Sequence, residues 1–353
     1  MATLINASGL TLQADEAKDV SEAVFERSFE NERIETMHTI QTGVERDRFI
    51  PFFGRLGLTG KAQEGCTPTV NAGSIPTSQK KWTPKTIGDR LAHCEKDLSP
   101  LFKVWQRKKK SLDQWNAIDM PHFSFIEDRV SESIEESILR HIAFGDTSAD
   151  TVANSGSLTN GTDKTFFNVI DGYWKQIETM VAGNSALKVA ITENAGVTKT
   201  AQANLADDAA YKTMKAMYEG ADARLLEADG VYIALTKSMW DNWVAYMEDK
   251  SVNFTLDEVK DGITKKTFRG IPIIVDYFWD RMIRSYFDNG TIFDRPNRAL
   301  MTVRDNMPIG TLDEGSLSEL DSFYDKKDKT NYIDFAYDLD VKVLEDYMLM
   351  VAY

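Results

Sequence analysis

The stretch Gly230-Val-Tyr-Ile-Ala-Leu-Thr-Lys-Ser238 predicts a short buried strand that stops at capping residues. A helix with one apolar face follows at once, and the residues of that face are Met239, Trp240, Trp243, Val244 and Met247. Ser238 is the predicted N-cap of this helix, with Asp241 three residues further on in the capping-box position. The stretch therefore predicts a strand followed directly by an amphipathic helix.

Two further strands and a helix are predicted downstream. The run Thr267-Phe-Arg-Gly-Ile-Pro-Ile-Ile-Val-Asp276 is an apolar strand that the chain enters through Gly270. A helix or turn carrying Trp279, Met282 and Ile283 comes next. The last strand, Arg298-Ala-Leu-Met-Thr-Val303, leads into Asn306-Met-Pro-Ile-Gly-Thr311. Strands and helices mixed in this way predict a sheet with a helix layer and a chain of the α+β class.

The wording of this stretch resembles a known family. The phrases that carry the resemblance are GVYIALTKSMWDNWVAYM (residues 230–247), TFRGIPIIVDYFWDRMI (267–283) and NRALMTVRDNMPIGT (297–311). They resemble the A (axial) domain of the major capsid proteins of tailed bacteriophages, which have the Hong Kong 97 fold. The resemblance implies an α+β chain in which the A-domain is inserted into a P (peripheral) domain made of a spine helix and long antiparallel strands. An extended loop (E-loop) and an N-terminal arm complete that fold.

Composition excludes several classes of protein. Of the 353 residues, 42% are hydrophobic, and no apolar run approaches the roughly 18 residues that a membrane span requires. The two cysteines, Cys66 and Cys94, cannot form a disulfide framework and suit a reducing cytoplasm. The net charge of −14 argues against a protein that coats nucleic acid, because phosphate binding needs clustered Lys and Arg.

One basic run departs from this acidic balance. It contains Lys103, Arg107, Lys108, Lys109 and Lys110. Charge runs are most often solvated helix faces, which is one interpretation. The other is that Lys108, Lys109 and Lys110 contact an acidic neighbouring subunit or packaged DNA.

The segment 52–85 has an unusual composition. Gly and Pro interrupt a run rich in Thr, Ser and Gln, and few of its side chains are apolar. Loops longer than about 15 residues are uncommon in compact domains unless they are functional or disordered. We interpret the segment as a two-stranded arm stabilised by a partner, with Trp82 marking its return strand; a surface loop without fixed structure is the alternative. The resemblance makes this arm the E-loop, and the candidate contacts between subunits are Lys61, Lys80, Lys81, Trp82 and Lys85.

Two helices are predicted on either side of this segment. Ala14–Met37 has the loose periodicity of an amphipathic helix, which the resemblance places in the N-terminal arm. Ser124–Ala143 has apolar residues at every fourth position, namely Ile126, Val130, Ile134, Ile138 and Ile142. Such a ridge suits a long helix that crosses its support obliquely, and the resemblance makes it the spine helix. Glu132, Glu135 and Glu136 lie off the ridge and are interpreted as a solvated face.

The C-terminal half predicts two more helices and two strands. After a loop at 145–164, one helix places Phe166, Ile170, Tyr173, Trp174, Ile177 and Val181 on one face. A second helix does the same with Ala210, Met214, Met217, Tyr218, Ala221 and Leu225, and both helices are expected to cover the sheet that begins at Gly230. Strict alternation from Ile333 to Val343 predicts a long half-buried strand, and alternation resumes from Tyr347 to Tyr353. These two strands are expected to form an antiparallel ribbon that returns to the P-domain.

Motifs for catalysis are absent from the sequence. It contains no phosphate-binding loop, dinucleotide fingerprint, zinc-protease motif or nucleophile elbow. The four histidines are scattered, and His93 beside Cys94 lacks the second ligand pair of a zinc site. We therefore expect no catalytic, cofactor-binding or metal-binding residues. Some members of the family cross-link a loop lysine to a neighbour's asparagine, but no partner residue can be matched in this sequence.

The resemblance also implies a domain order. It comprises an N-terminal arm (1–51), the E-loop (52–86), the first part of the P-domain (87–165, with the spine helix at 124–143), the A-domain (166–311) and the return to the P-domain (312–353). The resemblance covers most of the chain in the order of its elements, and it is weakest over residues 1–52.

The function implied is structural. Copies of the chain would assemble into hexamers and pentamers, form an icosahedral head and enclose double-stranded DNA without reading its sequence. Scaffold, portal and decoration proteins would be its partners, with synthesis in the bacterial cytoplasm and a final place in the virion. Two alternatives stay open: the shell of an encapsulin-like nanocompartment, and a cytoplasmic enzyme with a site between the Gly230 sheet and its helices.

Overall fold

A computed structural model describes residues 14–29, 32–50, 80–94, 121–249, 267–312, 319–325 and 330–353, with the single residues 315, 317 and 327. The helices are α1 (Ala14–Phe29), α2 (Glu32–Met37), α3 (Pro121–Phe144), α4 (Tyr173–Gly183), α5 (Lys199–Ala203), α6 (Ala209–Gly220), α7 (Ala223–Leu226), α8 (Lys237–Asp249) and α9 (Tyr277–Tyr286). The strands are β1 (Ile40–Gln41), β2 (Lys85–Cys94), β3 (Lys188–Val189), β4 (Val231–Leu235), β5 (Thr267–Phe268), β6 (Ile271–Val275), β7 (Ala299–Val303), β8 (Ile309–Gly310), β9 (Glu319–Asp325), β10 (Thr330–Val341) and β11 (Leu349–Ala352). The described residues form two sheets with packed helices, which confirms the α+β class.

The strand that begins after Gly230 lies in the middle of a six-stranded sheet, in the order β3–β11–β7–β4–β6–β5. It pairs in parallel with β6 and antiparallel with β7. Tyr232 and Ala234 contribute to the core beneath α4 and α9, whereas Val231, Ile233 and Leu235 contribute to the core beneath α6 and α8. Successive residues of a strand face opposite sides of its sheet, so both faces of β4 are buried. The predicted helices do cover this sheet, and they cover opposite faces of it.

The second sheet is organised by β10. This strand pairs antiparallel with β2 from Thr330↔Cys94 to Leu339↔Lys85, and with β9 on its other side. Its last residues pair with β8, which in turn pairs in parallel with β1. The strand is confirmed, and all the odd-numbered residues from 333 to 343 are buried as predicted: Ile333, Phe335, Tyr337, Leu339, Val341 and Val343. The prediction that the other face is exposed is wrong for Ala336, Asp338 and Asp340, which are buried too.

The long helix α3 packs against the apolar face of β10. Its predicted ridge is buried at each position whose side chain is described, namely Val130, Ile134, Ile138 and Ile142. The Tyr337 hydroxyl donates a hydrogen bond to Ser137 Oγ at 2.8 Å and ties the strand to the helix. The same tyrosine contacts α1: the Phe29 ring lies edge-on to the Tyr337 ring, and their centroids are 6.1 Å apart. Helices α1 and α3 and strand β10 thus share one core.

Three helices begin or end at residues other than those predicted from the sequence. The helix expected over Ala14–Met37 is the pair α1 and α2. Phe29 and Ile34 are both fully buried in the same core, yet five residues along one continuous helix would set them about 140° apart. They belong to the separate helices α1 and α2, and both contribute to that core.

The next two helices start or end at residues with extended backbone. The helix expected from Phe166 begins at Tyr173, because Gly172 is extended and donates its N–H to the Gly145 carbonyl at 2.9 Å. The helix expected to reach Leu225 ends at Gly220, and Ala221 is extended. The next turn, α7, is capped separately by Asp222.

The cap predicted for α8 is also wrong. This helix begins at Lys237, so Ser238 lies inside its first turn, where its hydroxyl donates to Asn297 Oδ1 at 2.6 Å. The Asp280 carboxylate of α9 accepts the Lys237 N–H at 2.6 Å instead. Asp241 forms an ion pair with the Lys237 side chain rather than closing a capping box. A side chain distant in sequence therefore satisfies one of the free N–H groups at the start of this helix.

The single strand predicted over Thr267–Asp276 is a tight hairpin. Phe268 pairs with Ile271 across a two-residue turn. Both turn residues have positive φ, 49° at Arg269 and 86° at Gly270. Two successive positive φ values match the right-handed twist of the paired strands. Glycine adopts such a value without strain, which explains Gly270.

The predicted C-terminal ribbon does not form. The last strand, β11, pairs antiparallel with β7 and in parallel with β3 in the six-stranded sheet. Its residues Leu349 and Val351 face the same core as Tyr232, whereas Met350 and Ala352 face the other. Alternation in the sequence indicated a strand correctly, but it does not determine which strand is the neighbour.

Two buried histidines are held in the neutral form. His38 Nδ1 donates to the Met307 carbonyl at 3.0 Å, and His141 Nδ1 donates to the Ser137 carbonyl at 2.8 Å. His141 Nε2 is buried with no hydrogen-bond partner among the described residues. Burial lowers the pKa of each imidazole from its ordinary value of 6.5 to about 4, because a charged ring would lose its hydration.

Mild acid is expected to destabilise the chain. Because the pKa of both histidines is lower in the folded state, the unfolded chain binds more protons between pH 6.5 and 4, and stability falls as the pH falls through this window. From pH 7.5 to pH 5 each histidine accounts for a loss of about 2 kcal/mol. Asp280, whose pKa burial raises to about 6, acts in the opposite direction and returns about 1 kcal/mol.

Urea unfolding at the two pH values measures the net effect. His141→Gln is the matched variant, and it is expected to remove a large part of the pH dependence. Equal stability at pH 7.5 and pH 5, or greater stability at pH 5, would contradict the prediction.

Candidate assembly surface

The ends of the segment 51–79 are held together by an antiparallel stem, which we define as residues 47–50 and 80–82. Ile50 N–H donates to the Lys80 carbonyl at 3.0 Å, and Trp82 N–H donates to the Arg48 carbonyl at 3.0 Å. Phe49 and Lys81 form an antiparallel bridge between these bonds. The chain thus leaves at Ile50 and returns beside it at Lys80. The segment between these ends, which the sequence predicts to be a two-stranded arm, lies outside the described residues.

Trp82 anchors the stem from within the chain. Its side chain is 1% exposed and packs in a small core with Val44, Ile50 and Leu344. The prediction that Trp82 contacts a neighbouring subunit is therefore corrected, because its ring is already covered by its own chain. Next to it, strand β8 has a glycine: a Cβ built on Gly310 would lie 2.7 Å from two Trp82 ring carbons.

Gly310→Ala is expected to lower the free energy of unfolding by about 1–3 kcal/mol, because the added methyl group would overlap the Trp82 ring. The backbone of Gly310 itself is not in the left-handed region, so the clash is the whole effect. Urea unfolding of Gly310→Ala in the natural chain and in a Trp82→Ala background measures it. A similar loss in both backgrounds would show that the ring is not the obstacle.

The three lysines around the stem differ in their surroundings. Lys80 Nζ donates to the Val343 carbonyl, and burial lowers the pKa of this amine. Lys81 is exposed, with its Nζ 4.9 Å from the centroid of the Phe49 ring. Lys85 is exposed at the start of β2. Lys81 and Lys85 thus stay available to another chain, whereas Lys80 serves partly to fasten the stem to the segment after β10.

The other candidate contacts, Lys61, Lys108, Lys109 and Lys110, lie outside the described residues. The stem itself presents one large exposed hydrophobic side chain, Phe49, which is 56% exposed. Sequence analysis did not identify Phe49 as an exposed aromatic residue, although two more phenylalanines, at 52 and 53, stand at the start of the segment 52–85.

A second surface feature was also missed. Helices α2, α3 and α9 enclose a cleft of about 340 Å³. This α3 cleft is lined by Arg33, Glu132, Glu135, Glu136, Leu139, Tyr277, Phe278 and Arg281. The acidic group on α3 was read from the sequence as a solvated face, and the structure places it on the rim of the cleft. Its other walls come from Arg33 on α2 and from α9, which are distant in sequence, so no local pattern reveals them.

The described residues show no arrangement with obvious chemistry. No three metal-binding side chains come together among them. Nor does any helix in the described ranges combine the length and apolarity that crossing a bilayer requires. The buried charged side chain of Arg298 has structural partners: its Nε donates to the Arg295 carbonyl at 2.9 Å, and its guanidinium lies 4.7 Å from the centroid of the Trp174 ring. What the described surface offers is a paired stem, an exposed aromatic ring and a charged cleft.

Comparison with known proteins by sequence finds no family model that matches and no curated protein that matches. Comparison by structure finds chains from structures of phages. The chain is similar to one in a structure described as "Satellite phage P4 procapsid including size determination (Sid) protein", with a TM-score of 0.54 and 11% identity, over 94% of this chain and 98% of that chain. It is also similar to one described as "Gordonia phage Cozz", with a TM-score of 0.50 and 11% identity, over 92% of this chain and 85% of that chain.

Likeness at 11% identity concerns the fold, and it extends over nearly the whole length of both chains in the first comparison. In this chain the fold comprises a six-stranded sheet covered on both faces, a long helix and long antiparallel strands. The chain has the Hong Kong 97-type α+β fold of tailed-phage capsid proteins.

Proposed function

We propose that this protein is the major capsid protein of a tailed phage. Copies of the chain assemble into hexamers and pentamers, which close into an icosahedral shell around double-stranded DNA. The observation that carries the proposal is the end-to-end similarity in fold to a chain of a phage procapsid structure. The role is structural, and the finished protein belongs to the virion.

Within this proposal each region of the chain has a task. The N-terminal arm (1–51) and the E-loop (52–86) reach neighbouring subunits, the A-domain (166–311) gathers around the axis of the capsomer, and the P-domain (87–165 and 312–353) joins capsomers. The last strand belongs to both regions, because β11 falls in the range 312–353 but lies between β7 and β3 in the six-stranded sheet. Many modest contacts of this kind give a stable shell only when they act together.

Charge supports a container more than a DNA-binding protein. The net charge of −14 repels phosphate, so the packaged DNA would be enclosed without being gripped. Assembly partners of the class that the fold implies, namely scaffold, portal and decoration proteins, belong to the same proposal.

Negative-stain electron microscopy of the purified protein, paired with sedimentation velocity, tests the proposal. Closed shells, tubes or hexamers are the expected result, with co-expressed scaffold if the chain alone stays monomeric. Shells that hold enzymes rather than DNA would favour the nanocompartment alternative. A small species that never assembles, even with a scaffold, would overturn the proposal.

A further inference from the structure

The α3 cleft has an apolar floor with an exposed aromatic rim. Leu139 and Phe278 form the floor and are 8% and 3% exposed. Tyr277, next to Phe278 at the start of α9, is 51% exposed. An exposed tyrosine beside an apolar floor is typical of surfaces that bind a partner, because aromatic side chains contribute much of the energy of protein interfaces.

The described residues that line the cleft include more acidic than basic side chains. Glu132, Glu135 and Glu136 lie three and four residues apart, so they share one face of α3. Two guanidinium groups line the same cleft, Arg33 and Arg281, and Arg281 Nη2 lies 3.2 Å from Glu136 Oε2. Three carboxylates thus face two cations. A ligand that combines an aromatic group with positive charge would complement both the floor and the rim.

The chain contains one run with that chemistry. In Phe102-Lys-Val-Trp-Gln-Arg-Lys-Lys-Lys110, an indole and a phenyl group precede the only four consecutive basic residues of the sequence. The cleft volume of about 340 Å³ has room for one large aromatic side chain. The basic residues would then reach the carboxylates on the rim.

We propose that the α3 cleft of one copy binds the segment Phe102–Lys110 of a second copy. Trp105 occupies the floor, and Arg107–Lys110 face Glu132 and Glu135. This inference rests on the proposed function, since it assigns one of the contacts by which copies assemble. The contact is charge-dependent, so assembly should weaken as salt is raised.

Charge reversal with rescue tests the pairing. Glu132→Lys/Glu135→Lys and Lys108→Glu/Lys109→Glu are each expected to slow assembly at least about tenfold in low salt, because like charges would meet across the contact. Both reversals in one chain are expected to restore most of the rate, measured by light scattering. Glu219→Lys/Glu248→Lys is the matched control, since it makes the same change in net charge at exposed positions of α6 and α8.

A cysteine pair distinguishes contacts between copies from contacts within one chain. Copies with Tyr277→Cys are mixed with differently tagged copies with Trp105→Cys, all in a Cys66→Ser/Cys94→Ser background. A disulfide-linked heterodimer after mild oxidation is the expected result. No heterodimer in assembled shells, or a bond that forms only when both cysteines are in one chain, would overturn the inference.

The two proposals fail in different ways. If the unmodified chain assembles and both charge reversals assemble as fast as the control, this inference is wrong and the proposed function stands. If the unmodified chain never assembles, even with a scaffold, the proposed function is wrong, and this inference falls with it. Circular dichroism and thermal unfolding of each variant establish that the fold is retained.

Discussion

Replacing Trp279 with alanine is expected to lower the free energy of unfolding by about 3–5 kcal/mol, the range observed when a large aromatic side chain is removed from a core. Trp279 has no exposed surface. Its ring lies edge-on to Trp174, with centroids 5.1 Å apart, and its Nε1 donates to the Tyr173 hydroxyl at 2.5 Å. The substitution therefore opens a cavity and also leaves a buried hydroxyl group without its donor. Urea unfolding measures the loss.

Two further substitutions separate these contributions. Tyr173→Phe keeps the packing and removes only the acceptor, so it is expected to cost about 1–3 kcal/mol. Tyr277→Ala, two residues from Trp279 on the same helix but 51% exposed, is the control and is expected to cost less than about 1 kcal/mol. If Trp279→Ala cost no more than Tyr277→Ala, Trp279 would not hold the core of this face of the sheet.

Much of the fold could be predicted because local patterns and tertiary packing agree. The alternation from Ile333 to Val343 marks β10, whose apolar residues face the core, and the every-fourth-residue ridge marks the buried face of α3. The residues of β4 are apolar without alternation because both faces are covered. Strands of this kind leave a clear pattern in the sequence.

Other features depend on contacts distant in sequence, so no local pattern could reveal them. Alternation identifies β11 as a strand, but its neighbour is β7 and not β10. The first N–H of α8 is bonded by Asp280, 43 residues away, so the local cap at Ser238 was not needed. The Arg269-Gly270 turn was overlooked because apolar residues on both sides read as one continuous strand.

The position of the candidate surface was predicted better than the contacts of its residues. Gly and Pro placed the start and end of the segment 52–85 close to where the stem forms. The role of Trp82 could not be read from its neighbours in sequence, because its core comes from Val44 and Leu344, which are distant from it along the chain. The α3 cleft requires α9 to lie beside α3, and nothing in either helix alone indicates this.

Removing residues 51–79 is expected to abolish assembly while leaving the fold intact. Because Ile50 and Lys80 already lie side by side in the stem, the two-residue turn Asn-Gly can replace the segment without disturbing the hydrogen bonds of the stem. The core of Val44, Ile50, Trp82 and Leu344 lies outside the deletion. We therefore expect the free energy of unfolding to change by less than about 1 kcal/mol.

The loss of assembly should be far larger than this change in stability, because an arm that reaches a neighbour acts by multivalency. Linked contacts raise the overall affinity by about 10²–10⁴ beyond any single contact, and that factor disappears with the arm. Sedimentation velocity and electron microscopy under conditions in which the full chain assembles measure the effect. Shells of normal size from the shortened chain would show that the segment is a surface loop. In the proposed function the segment gains its binding energy from a second copy, so a shortened chain that folds but does not assemble is the result that this proposal predicts.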